Sequence, residues 1–581
     1  MAISLDDNYG PVPWQYNSIA IFLSRIAGIF YREIGVWGLE KIPNTGPIML
    51  VAAPHSNELI DVVLIVSVLY TYFKLPISFV IAQRSMRRKF VGVLAAGLRC
   101  IRMNRVWDSS SLGSGKIFAP NFRNNPRLIK GRGTRFDQEV EVGDWIMIVV
   151  DGKQTLRAKV AEIRGPQELY LEASFLESSD YGASNSLEVA LTNTIYYLAS
   201  NPEGSDLMRV TSSVSAELKA GSIIGVFPEG HSHDQPDLIP LKTGWAVTAL
   251  SYLDTNHDPN FRIVPCALHQ AHGHRFRSRA GVEFGQTIRV PPALVEKYKN
   301  GDKKEAAENL KELVYGNLKT LTLTDSSTSL LETTQTMREL YHGQSGRCSL
   351  RQRTVLNKRI LETLSSKRGG PGVDSLLHRV DQYRFQLRVH GLRHHHVKYA
   401  VFNRKYASVL LLSQLCKLLP VILATIPSLV LFAPVLILSH KISGNKRRRA
   451  LKTSPFKLKG TDIIASWKIL VAMAVAPCLC SLYVALMTYW AYQSRWCSML
   501  PSYIPTHMVP FLGFCLLPAI TIVSLYTGEF AVDVLKSLPQ FLILLRPGGT
   551  RLMEDLFEQQ RKLTREVKMF IDSSIVNSQG M

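Results

Sequence analysis

The sequence predicts an α/β domain with a small inserted β-meander, followed by a charged helical segment and a C-terminal α-helical membrane region. Three observations predict it. Short β-prone runs alternate with helical patterns through residues 36–300, as layered α/β folds require. A group of β-prone runs joined by turn residues interrupts that alternation at 134–178. Long apolar blocks are confined to residues 406–527, so a mean hydropathy near zero averages two unlike halves.

Residues 1–35 predict a membrane-associated helix. The start, MAISLDDNYG, is acidic and lacks the basic segment and cleavage site of a secretory signal. The apolar stretch Ile19–Phe30, interrupted by Arg25, is short for a span and suits the bilayer interface. In PIMLVAAPHSNELID, a β-prone run ends at Ala53 and is broken by Pro54 and His55. Ser56 or Asn57 is placed to cap the next helix, with Glu58 and Asp61 in its first turn, where acids suit the helix dipole. Further strand–helix pairs are expected at Pro76–Ala82 with Met86–Leu98, and at Gly221–Phe227 with Thr243–Tyr252. Arg262–Leu268 and Val282–Phe284 complete the strands.

Within the insert, WIMIVV and TLRAKV flank Asp151-Gly152, a hairpin signal, and LYLEA adds a third strand. No chemistry is assigned to it. The run Lys130-Gly131-Arg132-Gly133-Thr134 reads equally as a backbone-amide phosphate cradle and as a loop. The cluster His274, Arg275, Arg277 and Arg279 reads as a solvated basic face or as a contact for anionic groups. Residues 301–405 carry helical periodicity and many charges. The triplet His394-His395-His396 has no acidic or cysteine neighbour in sequence, so it reads as a solvated helix face, and no metal site is expected.

The membrane region divides into Val409–Ser439, which carries Pro420, Pro427 and Pro434, and two spans at 469–491 and 509–526. Residues 528–581 read as a cytosolic helical tail. The net charge of +22, from 68 Lys and Arg against 46 Asp and Glu, calls for anionic partners. The apolar blocks make those a membrane surface or anionic substrates, and the absence of zinc-finger spacing or an aromatic-basic signature argues against nucleic acid. The eight cysteines contain no C-x-x-C and read as reduced thiols.

His55 followed by Asp61 is a pair suited to general-base work on a hydroxyl, the carboxylate fixing the imidazole tautomer and steadying its cation. Such pairs are common; the company of this one is not. Arg105 follows an apolar helix and a short extended run, and its forked, permanent charge suits a phosphate. Phe227-Pro228-Glu229-Gly230 ends a buried-looking strand, with His231-Ser232-His233-Asp234 directly after it, at the strand end where α/β proteins place ligands.

In order and content, PHSNELID, RMNR, FPEGHSHD and IVPCAL resemble the blocks of the glycerolipid acyltransferase superfamily. KIPNTGPIMLVAAPHSNELID, HRFRSRAGVEFG and, in the membrane half, KLKGTDIIASWKILVAMAVAP are similar to the fungal-type dual glycerol-3-phosphate/dihydroxyacetone-phosphate O-acyltransferases. The resemblance implies an acyl-CoA:glycerol-3-phosphate 1-O-acyltransferase that forms lysophosphatidate in phospholipid biosynthesis and also accepts dihydroxyacetone phosphate. It implies His55 as base and Asp61 as its support, with Arg105, Phe227, Pro228, Glu229, Gly230, Ser232 and His233 at the substrates. It implies acyl-CoA as co-substrate with no other cofactor, and membrane phospholipids as surroundings. It implies a multi-pass protein of the endoplasmic reticulum membrane with its active site facing the cytosol. Acylation of lysophosphatidate at its second position is the nearest alternative; a non-catalytic scaffold or transporter would show more spans or an internal repeat.

The broad superfamily has H-x4-D where this chain has H-x5-D, which turns Asp61 further round a regular helix and leaves Glu58 as an alternative partner. A topological tension follows as well. The basic stretch KISGNKRRRALKTSPFKLK is cytosolic by the positive-inside rule, and a single crossing by 409–439 would put His55 on the far side from acyl-CoA. The expectation is therefore a re-entrant hairpin turning near Pro427.

Overall fold

The computed structural model describes residues 13–43, 46–103, 110–122, 124–150, 154–175, 191–199, 205–270, 272–325, 327–342, 349–367, 370–401, 403–453, 457–493 and 506–579. Two compact units form: residues 1–322 with 446–465, and residues 323–445 with 466–581.

The first unit holds two sheets. The chain enters with β1 (Tyr31–Trp37), β2 (Ile48–Ala53), β3 (Ile77–Ala82) and β4 (Ile101–Met103). It then makes an excursion through β5 (Ser111–Leu112), β6 (Lys116–Phe118), β7 (Leu128–Arg132), β8 (Trp145–Val150), β9 (Gln154–Gly165), β10 (Glu168–Leu171) and β11 (Tyr196–Ala199). It returns with β12 (Ile223–Val226), β13 (Arg262–His269) and β14 (Ser278–Phe284). The main sheet has the order β1-β14-β13-β2-β12-β3-β4, parallel except for β13 against β14. Its centre is β2, whose six residues IMLVAA are all buried, as a strand covered on both faces must be. On one face Met49, Val51 and Ala53 pack with Ile224 and Ile263 against the helices Ser205–Lys219, Gly244–Asn256 and Lys303–Leu321. The almost wholly apolar helix Ile60–Phe73 is buried nearly all round, with the helix Trp14–Phe30 packed against it.

The insert is larger than the sequence suggests, running from 111 to 199 rather than 134–178. Its order is β5-β11-β8-β9-β10-β7-β6, all antiparallel. Ile117 of β6 also exchanges backbone hydrogen bonds with Thr194, just before β11, so the sheet closes on itself and leaves few exposed edges. Ile117, Phe136, Ile146, Leu169 and Tyr196 fill the closed core. The outer strands escape a sequence reading because KIF and LIKGR are short and carry Lys, Arg and Gly. The turn at Asp151-Gly152 lies outside the described residues, but Val150 and Gln154 pair across it.

Several expected boundaries move. Residues 31–37 form a strand, so the N-terminal helix stops at Phe30. The α/β unit ends at 322, not 300, because the helix Lys303–Leu321 buries Ala306, Leu310, Val314 and Leu318 in its core. The expected helix Met86–Leu98 is broken into Gln83–Met86 and Lys89–Gly97. In the second unit, helices from Thr328 to Val389 share a core with Phe541, Leu544, Leu556 and Val567. His394 and His396 are buried rather than on a solvated face; His394 meets Tyr383 and Gln560, and His396 Nδ1 accepts the Arg393 backbone N–H at 3.2 Å.

Among the described residues three helices are long and apolar enough to cross a membrane: Arg404–Lys452, Thr461–Gln493 and Val509–Leu545. Large apolar side chains such as Leu429, Trp490 and Phe511 point outward from them, and the protein is accordingly membrane-associated. No hairpin turns at Pro427. Residues 404–453 are one helix that runs through Pro420, Pro427 and Pro434. A proline removes one helix donor, whereas a turn in lipid would strip several backbone groups of partners. Beside Pro434, the Tyr483 hydroxyl donates to the Leu431 carbonyl at 2.7 Å. The third apolar helix likewise continues past residue 526 to Leu545, and the tail is a separate helix, Gly549–Gln579.

Candidate active site

The C-terminal ends of β2, β12 and β13 lie side by side, with Ala53 opposite Ala267 and Val51 opposite Val226. The residues that leave those ends are His55, Phe227 and Gln270, so one sheet edge gathers groups from three distant stretches of sequence.

His55 sits before its helix, which begins only at Ile60. Neither Ser56 nor Asn57 caps that helix; Leu59 occupies the position without a side-chain bond. The six-residue step from His55 to Asp61 is therefore spanned by an irregular turn, and the longer spacing imposes no helical rotation between the two. The His55 Nδ1 lies 2.9 Å from Asp61 Oδ2. An ionised carboxylate only accepts, so Nδ1 carries the proton and Nε2 presents its lone pair. Glu58 turns elsewhere and pairs with Arg88 at 3.0 Å.

Asp61 is fully buried and its charge is answered on both oxygens. Oδ2 also accepts the Asn57 backbone N–H at 2.8 Å, and Oδ1 accepts the Gln270 side-chain amide at 2.7 Å. Gln270 is oriented in turn: its Oε1 accepts from the Asn57 side chain at 2.5 Å and from the Tyr31 hydroxyl at 3.2 Å. Burial, then the nearby Asp61 charge, pushes the Tyr31 phenol well above its usual range, so it remains a donor. Gln270 and Tyr31 are absent from the sequence expectations, and Asn57 appears there only as a candidate helix cap. Gln270 had a signal, standing directly after the Pro-bearing strand IVPCALH; Tyr31 had none.

Phe227 forms the floor of the site, its ring stacked on His55 at 4.1 Å and followed by Phe79 at 5.8 Å. Glu229 is fully buried and already engaged. Its Oε2 accepts the His55 backbone N–H at 2.6 Å, and its Oε1 lies 2.9 Å from His233 Nε2. Gln235 N–H donates to His233 Nδ1 at 3.2 Å, which fixes the proton of His233 on Nε2. His233 N–H also donates to the His55 carbonyl at 3.0 Å. Glu229 and His233 thus clamp the backbone of His55 from both sides. Pro228 is buried, its carbonyl accepting from Lys242 N–H at 2.7 Å, and Gly230 takes a left-handed turn at φ 73°. The Ser232 hydroxyl donates to Asp462 at 2.8 Å. Arg105 lies outside the described residues.

Other expectations resolve locally. The run 130–134 is strand β7 and its exit; Gly131 N–H donates to the Gln167 carbonyl and Thr134 to the Pro166 carbonyl, so it is no phosphate cradle. Arg277 donates to the carbonyls of Gly28, Ile29 and Tyr31 at the end of the first helix, and Arg279 pairs with Glu33. Among the described residues no group of His, Cys, Asp and Glu is arranged to hold a metal, and the six described cysteines are free.

Residues 333–574 match the family described as the glycerol-3-phosphate acyltransferase 2 C-terminal domain. Over 96% of its length the chain is 31% identical to an uncharacterized acyltransferase of Schizosaccharomyces pombe, covering 80% of that protein. Over 95% of its length it is 31% identical to glycerol-3-phosphate O-acyltransferase 1 of Saccharomyces cerevisiae, covering 70% of it. It is 30% identical to glycerol-3-phosphate O-acyltransferase 2 of the same yeast, covering 76% of it.

Proposed function

Because this chain belongs to the glycerol-3-phosphate O-acyltransferase family and is an acyltransferase, we propose that it moves a fatty-acyl group from acyl-CoA to the 1-hydroxyl of glycerol-3-phosphate, with His55 as general base. The observation that carries this reading is the His55–Asp61 pair, with Asp61 buried and held by two further donors. Nε2 of His55 takes the proton of the acceptor hydroxyl, and the oxygen attacks the thioester carbonyl. The tetrahedral intermediate collapses, the carbon–sulfur bond breaks, and the CoA thiolate leaves with the proton returned from His55. Asp61 steadies the imidazolium between the two transfers. No metal is required by this sequence of steps.

Dihydroxyacetone phosphate offers the same primary hydroxyl and phosphate, and it serves as a second acceptor. Arg105, from the RMNR block, is the residue for the acceptor phosphate, and the loop residues Phe227, Pro228, Glu229, Gly230, Ser232 and His233 make up the rest of the substrate-binding set beside His55. The protein resides in the endoplasmic reticulum membrane with His55 on the cytosolic side. Support for that sidedness comes from residues 446–465, which include the end of the basic stretch and share the compact unit of His55.

One assay tests the reading. Purified protein in detergent receives labelled acyl-CoA with glycerol-3-phosphate, dihydroxyacetone phosphate or lysophosphatidate, beside a His55→Ala control. The expected products are the 1-acylated phosphates of the first two acceptors, lost in the control. Activity on lysophosphatidate alone would assign the second acylation step instead, and an unimpaired control would remove His55 from the mechanism.

A further inference from the structure

The catalytic loop FPEGHSHD is joined to a stretch more than two hundred residues later. Asp234 accepts backbone N–H bonds from Leu458 at 2.7 Å, Lys459 at 2.8 Å and Thr461 at 3.1 Å, and the Thr461 hydroxyl at 3.1 Å. These backbone donors hold the Asp234 carboxyl below the usual carboxylate range against the opposing effect of burial. Next to this clamp, Asp462 is fully buried, forms an ion pair with Lys457, and accepts the Ser232 hydroxyl at 2.8 Å. Lys457 Nζ donates to the Ser232 carbonyl and hydroxyl, each at 3.3 Å. The residue after Ser232 is His233, which bonds both the His55 carbonyl and Glu229. A continuous line of contacts therefore runs from the segment between the first two apolar helices to the backbone of the proposed base.

Such an arrangement is expensive to assemble for fold stability alone. Both ions of the Lys457–Asp462 pair are withdrawn from water, and apolar replacements of similar size usually hold a fold as well. What the pair supplies here is a fixed acceptor and a fixed donor on Ser232.

We propose that Lys457–Asp462 is a working part of the acyltransferase site, in which Asp462 and Lys457 are positioning residues that act through Ser232 and His233 to set the orientation of His55. The inference rests on the reading of His55 as the base. It makes the membrane half of the chain a contributor to the active site as well as an anchor, so the FPEGHSHD loop is incomplete without the segment that precedes the second apolar helix.

Two uncharged double variants of the full chain isolate the effect. Lys457→Met with Asp462→Asn keeps an amide oxygen for the Ser232 hydroxyl, whereas Lys457→Met with Asp462→Leu removes it at nearly the same size. We expect the Leu double variant to have a kcat at least about fivefold below the Asn double variant, the effect of one lost buried hydrogen bond. KM for both substrates and the melting midpoint should stay close in the two. A smaller difference in kcat, or one matched by a rise in KM, overturns the proposal. If the Leu double variant gives no cooperative melt, Ser232→Ala removes the same bond without touching the buried ions, and the same criterion applies against the parent. His55→Ala separates the two levels: an active His55→Ala enzyme defeats the reading of the base, while an inactive one beside equal double variants defeats this inference alone.

Discussion

Asp61 accepts three hydrogen bonds inside the protein, and each has a separate consequence for His55. Removing the imidazole with His55→Ala should lower kcat by about 10²–10⁴, the usual weight of a positioned base, with KM for acyl-CoA little changed. Asp61→Asn should lower kcat over a similar range, roughly 10²–10⁴, because an amide no longer imposes the Nδ1–H tautomer or steadies the cation. Gln270→Leu is the finer probe. It removes one donor to a buried charge and should lower kcat by about tenfold, in keeping with ~1–2 kcal/mol for such a bond. Steady-state kinetics on purified variants reads all three, and Gln270→Leu with full activity would show that Asp61 needs no such brace. Glu58→Gln should leave activity near parent, since Glu58 faces Arg88 and not His55.

At the scale of elements, β12 tolerates little change. A Cβ on Gly225 would lie 2.4 Å from the Phe79 ring, and Phe79 carries the Phe227–His55 stack. Gly225→Ala should destabilise the α/β unit by about 1–3 kcal/mol and reduce kcat as well, read by thermal melting beside the assay. The helical unit has its own pH dependence. Burial, then the charge of His395, depresses His394 to about 4, and the same effects with Arg393 and Lys398 nearby depress His396 to about 4. Both rings are neutral when folded, whereas the unfolded chain binds protons from about pH 6.5 downward. Stability of this unit should therefore be full above about pH 6.5 and fall as pH drops toward 4, by up to ~3 kcal/mol for His394 and less for His396. Melting curves across that range check it, and a His394→Gln/His396→Gln variant should flatten the slope. The burial of His394 was hidden in sequence because its partner Gln560 is remote along the chain; His395 between the two buried rings is exposed.

For the whole molecule, three long apolar helices and a basic segment predict retention in membranes after alkaline extraction. Protease added to intact microsomes should cleave in the α/β unit if His55 faces the cytosol; protection of that unit would reverse the proposed sidedness. Counting crossings led to a re-entrant hairpin at Pro427, which the continuous helix 404–453 replaces. The contact of Asp234 with Leu458, Lys459 and Thr461 ties the basic segment to the catalytic loop on one side, so the continuous helix 404–453 that lies between them in sequence does not make a single crossing.

Residues 48–61 and 223–234 were legible from sequence because their signals are local: a short apolar run, a break, then polar groups at a strand end. The apolar blocks were legible for the same reason, since length and hydropathy need no partner. The closed insert sheet, the bracing of Asp61 by Gln270 and Tyr31, and the docking of Lys457–Asp462 on the catalytic loop belong to the tertiary structure alone. Each depends on which distant groups meet, and a hydrogen bond leaves no periodicity in the sequence on either side of it.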